Sequence, residues 1–459
     1  MTLLPSLRPL LAALTLLACF APAAVATAAG PQEVVVRFKT NATAGERTAA
    51  ARAAGVERLR ATAGGARVGR LRPGREVAPA LATLRERRAV AWAGPNFVAR
   101  AAFEPNDPGV AGKTGTVGGW RTAQWNLAGT FGINVPGAWD AAKVAGGEGG
   151  RGIRVAVLDT GVAYANRSPY RRSPDLPATR IKRGYDFVSD DPYPNDANGH
   201  GTLVTTAIAG SADNAFGMAG IAYGADVLPV RVLNADGEGS SARIAEGIRY
   251  AVDRGAHVVN VSIELYDPVY FQAQSITAAP EIRAALRYAA RRRAVVVAAA
   301  GNASQSNVPS TTLEEHIVYV GGTTEHGCLG EYSNSGEGMD LVAPGGGADA
   351  DFVDDENCRA AEPPGRNVLQ VTFRRARPAR FVVPTNYKGT SMAAPQVTGV
   401  VALLLAARTL GRDPSPAAVG RHLRATARDL GVPGPDRRYG AGLLDATSAL
   451  TLPPTGPSR

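Results

Sequence analysis

From residue 152 onward the chain alternates between short apolar runs and longer stretches in which apolar residues return every three or four positions. The runs at 153–158, 227–232, 258–261, 295–299 and 317–320 are almost wholly apolar, a pattern that suits strands buried on both faces. The stretches at 201–209, 241–254 and 280–292 have helical spacing, and two further helices are expected at 391–407 and 416–427. Strand and helix in alternation predict an α/β fold, with a parallel central sheet flanked by helices.

The first hundred residues follow another rhythm. Residues 33–38 form a β-rich run, and Thr43 is placed to cap a helix starting near Ala44. Gly64 and Gly65 interrupt the chain before a short strand at 67–71. Residues 77–88 carry Val77, Leu81 and Leu84 on one helical face, and 90–98 closes the unit. This reads as a small α+β domain over 29–103, followed by a main domain over 104–459. The stretch 104–119, rich in Gly, Asn and Pro, reads as a linker and processing region. Residues beyond 453 read as disordered, and no internal repeat is evident.

Residues 1–28 have the layout of an export signal. Arg8 supplies the positive start, residues 10–20 an apolar run too short to span a bilayer, and Ala24, Ala26 and Ala28 the small residues of a cleavage site. Leu16-Leu17-Ala18-Cys19 also resembles a bacterial lipobox, which would make Cys19 a lipid anchor. No other segment is expected to cross a membrane. Cys328 and Cys358 then remain, either as a disulfide or as two free thiols. A bridge closing a loop of about 30 residues would contribute roughly 3–4 kcal/mol.

The 459 residues carry a net charge of +10, which raises the question of nucleic acid. The excess is misplaced for that role. Residues 31–100 hold 14 Lys or Arg against 5 Asp or Glu, whereas residues 101–459 hold 35 of each sign. The main domain is therefore neutral overall, and nucleic-acid binding is excluded as its function.

Three short motifs carry the chemistry. In 153–162, IRVAVLDTGV, an apolar strand ends on Asp159, where α/β sheets collect their sites. In 198–202, NGHGT, glycines flank His200 and a helix follows. In 389–395, GTSMAAP, Ser391 stands at a helix start, where free N–H groups favour developing negative charge. Singly, each has a plain reading: a turn former, a surface histidine, a helix cap. A fourth motif, AAAGN at 298–302, ends a strand on Asn302, whose amide can donate to an oxyanion.

Together and in this order, these motifs resemble the subtilisin-like (subtilase) serine proteases. The likeness runs from about 106 to 449 and includes AQWNL at 123–127, AWD at 138–140 and YGAGLLDA at 439–446. The resemblance implies a secreted serine endopeptidase with Asp159, His200 and Ser391 as triad and Asn302 in the oxyanion hole. It implies protein or peptide substrates bound along Ser262, Ile263, Glu264, Ala299, Ala300 and Gly301. The small N-terminal domain looks like the family's inhibitory, chaperoning propeptide, and the mature enzyme is expected to be a monomer.

Where relatives place glycines, this chain has SIEL at 262–265, so Glu264 either favours basic side chains or points to solvent. Residues 186–195, DFVSDDPYPN, resemble a calcium loop, with Asp186, Asp191 and Asn195 at matching places and Ser189 where an Asp is expected. Asp349, Asp351, Asp354, Asp355 and Glu356 form a second acidic cluster, read as a solvated loop. No organic cofactor is expected. The alternative class is an inactive subtilase serving as a binding module.

Overall fold

The computed structural model describes residues 33–62, 65–96, 103–110, 118–267, 272–309, 317–352, 354–355, 358 and 363–454. The expected export signal, with Cys19, and the residues from 455 onward lie outside them.

The N-terminal domain runs β1 (Glu33–Phe38), α1 (Ala44–Ala53), β2 (Val56–Ala61), β3 (Arg67–Leu71), α2 (Val77–Arg85) and β4 (Val90–Pro95). Its four strands form an antiparallel sheet in the order β2-β3-β1-β4. Alternate residues of β1, Val34, Val36 and Phe38, turn inward and pack with Leu81 and Leu84 of α2. The cap at Thr43 forms as expected. Its hydroxyl receives the Glu46 N–H, and the Glu46 carboxylate receives the Thr43 N–H at 2.8 Å, a reciprocal capping box. Helix α2 stops at Arg85, three residues before the expected end.

The main domain begins with three helices, α3 (Trp120–Ala123), α4 (Trp125–Ala128) and α5 (Val135–Val144). Then come β5 (Arg154–Asp159), β6 (Tyr185–Asp186), α6 (His200–Ala209), β7 (Asp226–Arg231), α7 (Ser241–Asp253), β8 (Val258–Val261) and the short pair β9 (Leu265–Asp267) and β10 (Gln272–Gln274). The chain continues through α8 (Pro280–Arg291), β11 (Val295–Ala299), β12 (Val318–Thr323), β13 (Leu341–Pro344), the hairpin β14 (Thr372–Arg374) and β15 (Arg377–Val382), α9 (Thr390–Ala407), α10 (Pro416–Thr426) and α11 (Ala446–Thr451).

Seven strands form a parallel sheet in the order β13-β12-β11-β8-β5-β7-β6. Strand β5 shows why its sequence is continuously apolar. Val155 and Val157 enter the core shared with α6 and α9, while Ala156 and Leu158 enter the core shared with α7 and α8. Both faces are covered, so alternation disappears. After β5 the chain builds β6 and β7 on one side of it, and after β7 it crosses to β8 on the other. The carboxyl end of β5 is therefore where the strand order reverses, the position at which such sheets open a crevice.

Two expectations change. Helix α9 reaches 18 residues with a mean hydropathy of 1.5, long and apolar enough by composition to span a membrane. Its apolar window is 78% buried inside the protein, so it is the domain's central core helix. The segment read as a linker is docked over 103–110. Phe103 packs edge-on against Trp139, Trp120 Nε1 donates to the Pro105 carbonyl at 3.0 Å, and Asp107 is fully buried. Its polar composition reflects hydrogen-bonded anchoring rather than freedom. Cys328 and Cys358 are joined as a disulfide, which ties the long insertion between β13 and β14 to the loop after β12.

Candidate active site

Asp159 is the last residue of β5 and is fully buried. Its Oδ1 receives the Thr160 N–H at 2.7 Å and lies 2.8 Å from His200 Nδ1; Oδ2 lies 3.0 Å from the same nitrogen. A carboxylate on Nδ1 requires a proton there, so the neutral imidazole presents Nε2 as a base. His200 opens α6. The helix approaches β5 so closely that a Cβ on Gly201 would stand 2.1 Å from the Gly161 carbonyl oxygen, so only glycine fits.

Burial alone would depress the His200 pKa. The charge of Asp159 and its hydrogen bond outweigh burial, Asp196 adds to them, and the net shift is upward. Asp196 went unnoticed in the sequence. Its Oδ1 accepts from Thr160 Oγ1 and the N–H groups of Asn198 and Gly199, each at 2.9 Å; its Oδ2 accepts from Thr202 N and Oγ1. It thereby fastens the histidine loop to the end of β5. Burial pushes its own carboxyl up despite these bonds. An acid four residues before a glycine-framed histidine was the signal available.

Ser391 is the second residue of α9, behind Gly389 at φ 133°. That dihedral suits glycine, and a Cβ there would meet Asn302 Oδ1 at 3.0 Å. Ser391 Oγ donates to the Ser262 carbonyl at 3.3 Å, and Ser262 Oγ donates to the Ser391 carbonyl at 3.2 Å. The second bond has a cause in the sequence. Pro395 lies four residues on and has no N–H, so the Ser391 carbonyl lacks its helical partner. Asn302 Oδ1 accepts from Thr390 N at 2.8 Å and Thr390 Oγ1 at 3.0 Å. The amide orientation is thus fixed, with Nδ2 as its free donor face.

The residues expected along the substrate divide. Ile263, Ala299 and Ala300 have their side chains in the two cores, leaving only backbone to offer. Gly301 N donates to Thr390 Oγ1, and a Cβ on Gly301 would meet Glu264 Oε1 at 2.3 Å. Glu264 turns inward: its Oε1 accepts from Asn302 N at 3.1 Å and Asn334 Nδ2 at 2.9 Å.

The three residues expected to hold calcium share one loop, but Asp186 is already engaged. Its Oδ1 accepts from Val188 N and Ser189 N, and its Oδ2 pairs with Arg231 at 2.7 Å. Asp191 Oδ1 receives the Tyr193 N–H, and the side-chain amide of Asn195 is buried without a partner. The other acidic cluster disperses among partners. Asp349 holds His326, Asp354 pairs with Arg438, and Asp355 accepts from Tyr439 and Cys358 N. Glu356 lies outside the described residues.

A different pair of acids looks unsatisfied. Asp107 and Asp175 are both fully buried, and each has one carboxylate oxygen without a hydrogen-bond partner. Asn214 Nδ2 donates to Asp175 Oδ1 at 3.0 Å, and Asp213 N donates to Asp107 Oδ2 at 2.7 Å. Burial raises both carboxyls, Asp175 well above the ordinary range; the like charge of Asp107 adds to the rise at Asp175, and that of Asp213 to the rise at Asp107. No group of three or more His, Cys, Asp or Glu side chains gathers among the described residues, but a hard cation also takes amide and carbonyl oxygens.

Residues 150–442 match the model of the Subtilase family, Peptidase_S8. A thermophilic serine proteinase of Bacillus sp. (strain AK1) is 32% identical over 378 residues, covering 81% of this chain and 77% of that protein. Subtilisin BL of Lederbergia lenta is 32% identical over 300 residues, covering 65% of this chain and 91% of its own. A solved protease of Pseudoalteromonas arctica PAMC 21717 superposes with a TM-score of 0.57 at 28% identity, covering 76% of this chain and 99% of that one. The chain belongs to the subtilase family and is a serine-type endopeptidase, an enzyme of protein substrates.

Proposed function

We propose that Ser391, His200 and Asp159 hydrolyse peptide bonds through an acyl-enzyme. The observation that carries this reading is the buried Asp159 carboxylate on His200 Nδ1, which leaves Nε2 as the base at the mouth of the site. The reaction requires Ser391 Oγ to leave the Ser262 carbonyl for Nε2; Ser391 and His200 stand at the starts of α9 and α6, which pack together. Oγ then attacks the scissile carbonyl carbon as its proton passes to Nε2. The carbonyl oxygen gathers negative charge beside Asn302 Nδ2 and the Ser391 N–H, which faces out of the first turn of α9. His200 returns the proton to the departing amine, and a water repeats the sequence to free the acid. A serine-directed fluorophosphonate labels the mature enzyme and fails to label Ser391→Ala. Absence of labelling in the mature wild type overturns the reading and favours an inactive binding module.

Glu264 supports a basic side chain on the acyl side of the bond. One carboxylate oxygen is tied down by Asn302 and Asn334, which holds the charge beside Gly301. Profiling with a peptide library tests this. Arg or Lys is expected to be enriched just before the cut, and equal cleavage after neutral residues rules it out.

The protein is made for export through residues 1–28, as a monomeric zymogen whose N-terminal domain inhibits it until removed. The processing cut is expected between about Val98 and Pro108. Calcium suits the buried pair Asp107 and Asp175 with Asn214, whose unpaired oxygens would ligate it; the nearby charge of Arg180 is bonded to the Ala209 and Ala225 carbonyls and not to either acid. It suits the Asp186, Asp191 and Asn195 loop less, because Arg231 already supplies the charge there. Asp107, Asp175 and Asn214 would hold the ion there, and its charge would offset the two buried carboxylates.

A further inference from the structure

The hairpin β14–β15 was not read in the sequence and has no part in the chemistry above. It stands beside the catalytic histidine. Thr372 Oγ1 donates to the Gly199 carbonyl at 2.6 Å, and the neighbouring Val371 carbonyl receives the Thr206 hydroxyl at 2.7 Å. The base of the hairpin is therefore bonded at two points to the helix that carries His200. Phe373 and Phe381 face each other across its strands, with ring centroids 6.3 Å apart.

Between this hairpin and the body lies a cavity of about 630 Å³. It is lined by Asn198, two residues before His200, and Tyr387, four residues before Ser391, together with Phe373, Arg374 and Arg375. It therefore adjoins the loop that leads into His200. Asn302, Ser262 and Glu264, which are bonded to Thr390, to Ser391 and to Asn302 respectively, do not line it. In acyl transfer the carbonyl oxygen lies toward the oxyanion donors and the departing amine toward the histidine that protonates it. The cavity consequently receives the leaving peptide.

Its charge is one-sided. The segment 372–382 carries Arg374, Arg375, Arg377 and Arg380 and no acid. Arg375 touches Asp236, but both side chains are more than half exposed, so the pair is weak and easily exchanged. Arg374 has no ion-pair partner among the described residues. An extended peptide advances about 3.3 Å per residue, so three leaving-side residues span roughly 10 Å from the scissile bond, the stretch that would meet a hairpin bonded to the histidine loop.

We propose that the β14–β15 hairpin is a specificity element that selects substrates with Asp or Glu among the first three residues after the scissile bond. The inference rests on His200 as proton donor to the leaving amine, and it deepens that reading.

Peptides with a fixed acyl side, carrying Glu, Gln or Lys at each of the three leaving positions, test it. In the wild type at low salt, Glu is expected to exceed isosteric Gln by about tenfold in kcat/KM at one position or more, with Lys slowest, and the gap to shrink at high salt. The Glu-to-Gln ratio falls toward one in Arg374→Ala/Arg375→Ala. It inverts in favour of Lys in Arg374→Glu/Arg375→Glu, a gain that misfolding cannot imitate. Equal rates for Glu and Gln at all three positions, or the same ratio in every variant, overturn the inference and leave the endopeptidase reading intact. Failure to cleave any peptide overturns both.

Discussion

At the scale of single residues, the site is held by groups that do not react. Asp196 fixes the loop from Asn198 to Thr202, Thr390 fixes the Asn302 amide, and Pro395 releases a carbonyl for Ser262. The electrostatics give a pH dependence with a definite sign. A histidine acts as base only when neutral. Asp159 and Asp196 hold the His200 pKa above the ordinary value near 6.5, so kcat/KM declines on acidification through that raised value. In Asp159→Asn the charge that raises it is gone, burial remains, and the acid limb moves to lower pH. The same change also loosens the tautomer, and the plateau is expected to drop about 10⁴-fold. Profiles of kcat/KM against pH for both proteins check this. A limb that stays in place in Asp159→Asn shows that some other group titrates.

At the scale of elements, the sequence was legible wherever one physical demand dominated. The buried strands of the sheet had to be apolar on both faces, and the helices between them had to be amphipathic or, like α9, wholly apolar. Motif residues stood at the ends of those elements, so Asp159, His200 and Ser391 could be placed on β5, α6 and α9, and Asn302 just past the end of β11. Elements with little apolar burial were not visible. Strand β2, VERLRA, buries only Val56 and exists because β3 pairs with it. The hairpin β14–β15 is written in arginines and forms because Thr372 and Val371 bond to α6. In both, tertiary hydrogen bonding overrides a polar pattern. Glu264 belongs to the same class: its direction was undecided until Asn334, 70 residues away, appeared beside it.

At the scale of the whole molecule, the buried acids connect distant parts of the chain. Asp107 comes from the segment entering the domain, Asp175 from the loop between β5 and β6, and Asn214 from the loop after α6. No local motif could join them, since they are neighbours only after folding. Two buried carboxylates with unpaired oxygens are costly, more so than the neutral groups left unpaired elsewhere, and a divalent cation would reverse that cost. Calcium bound to the native state alone, at a thousand times its Kd, adds about 4 kcal/mol. Thermal unfolding in Ser391→Ala, where self-digestion cannot intervene, should therefore shift down on the order of 5–10 °C when EDTA replaces calcium. Asp175→Ala on the same background should unfold at one temperature in both buffers, while Asp186→Ala should keep the calcium response. If EDTA leaves the parent unchanged, the pair holds its charge without a metal; if Asp186→Ala alone loses the response, the cation sits in the loop beside Arg231.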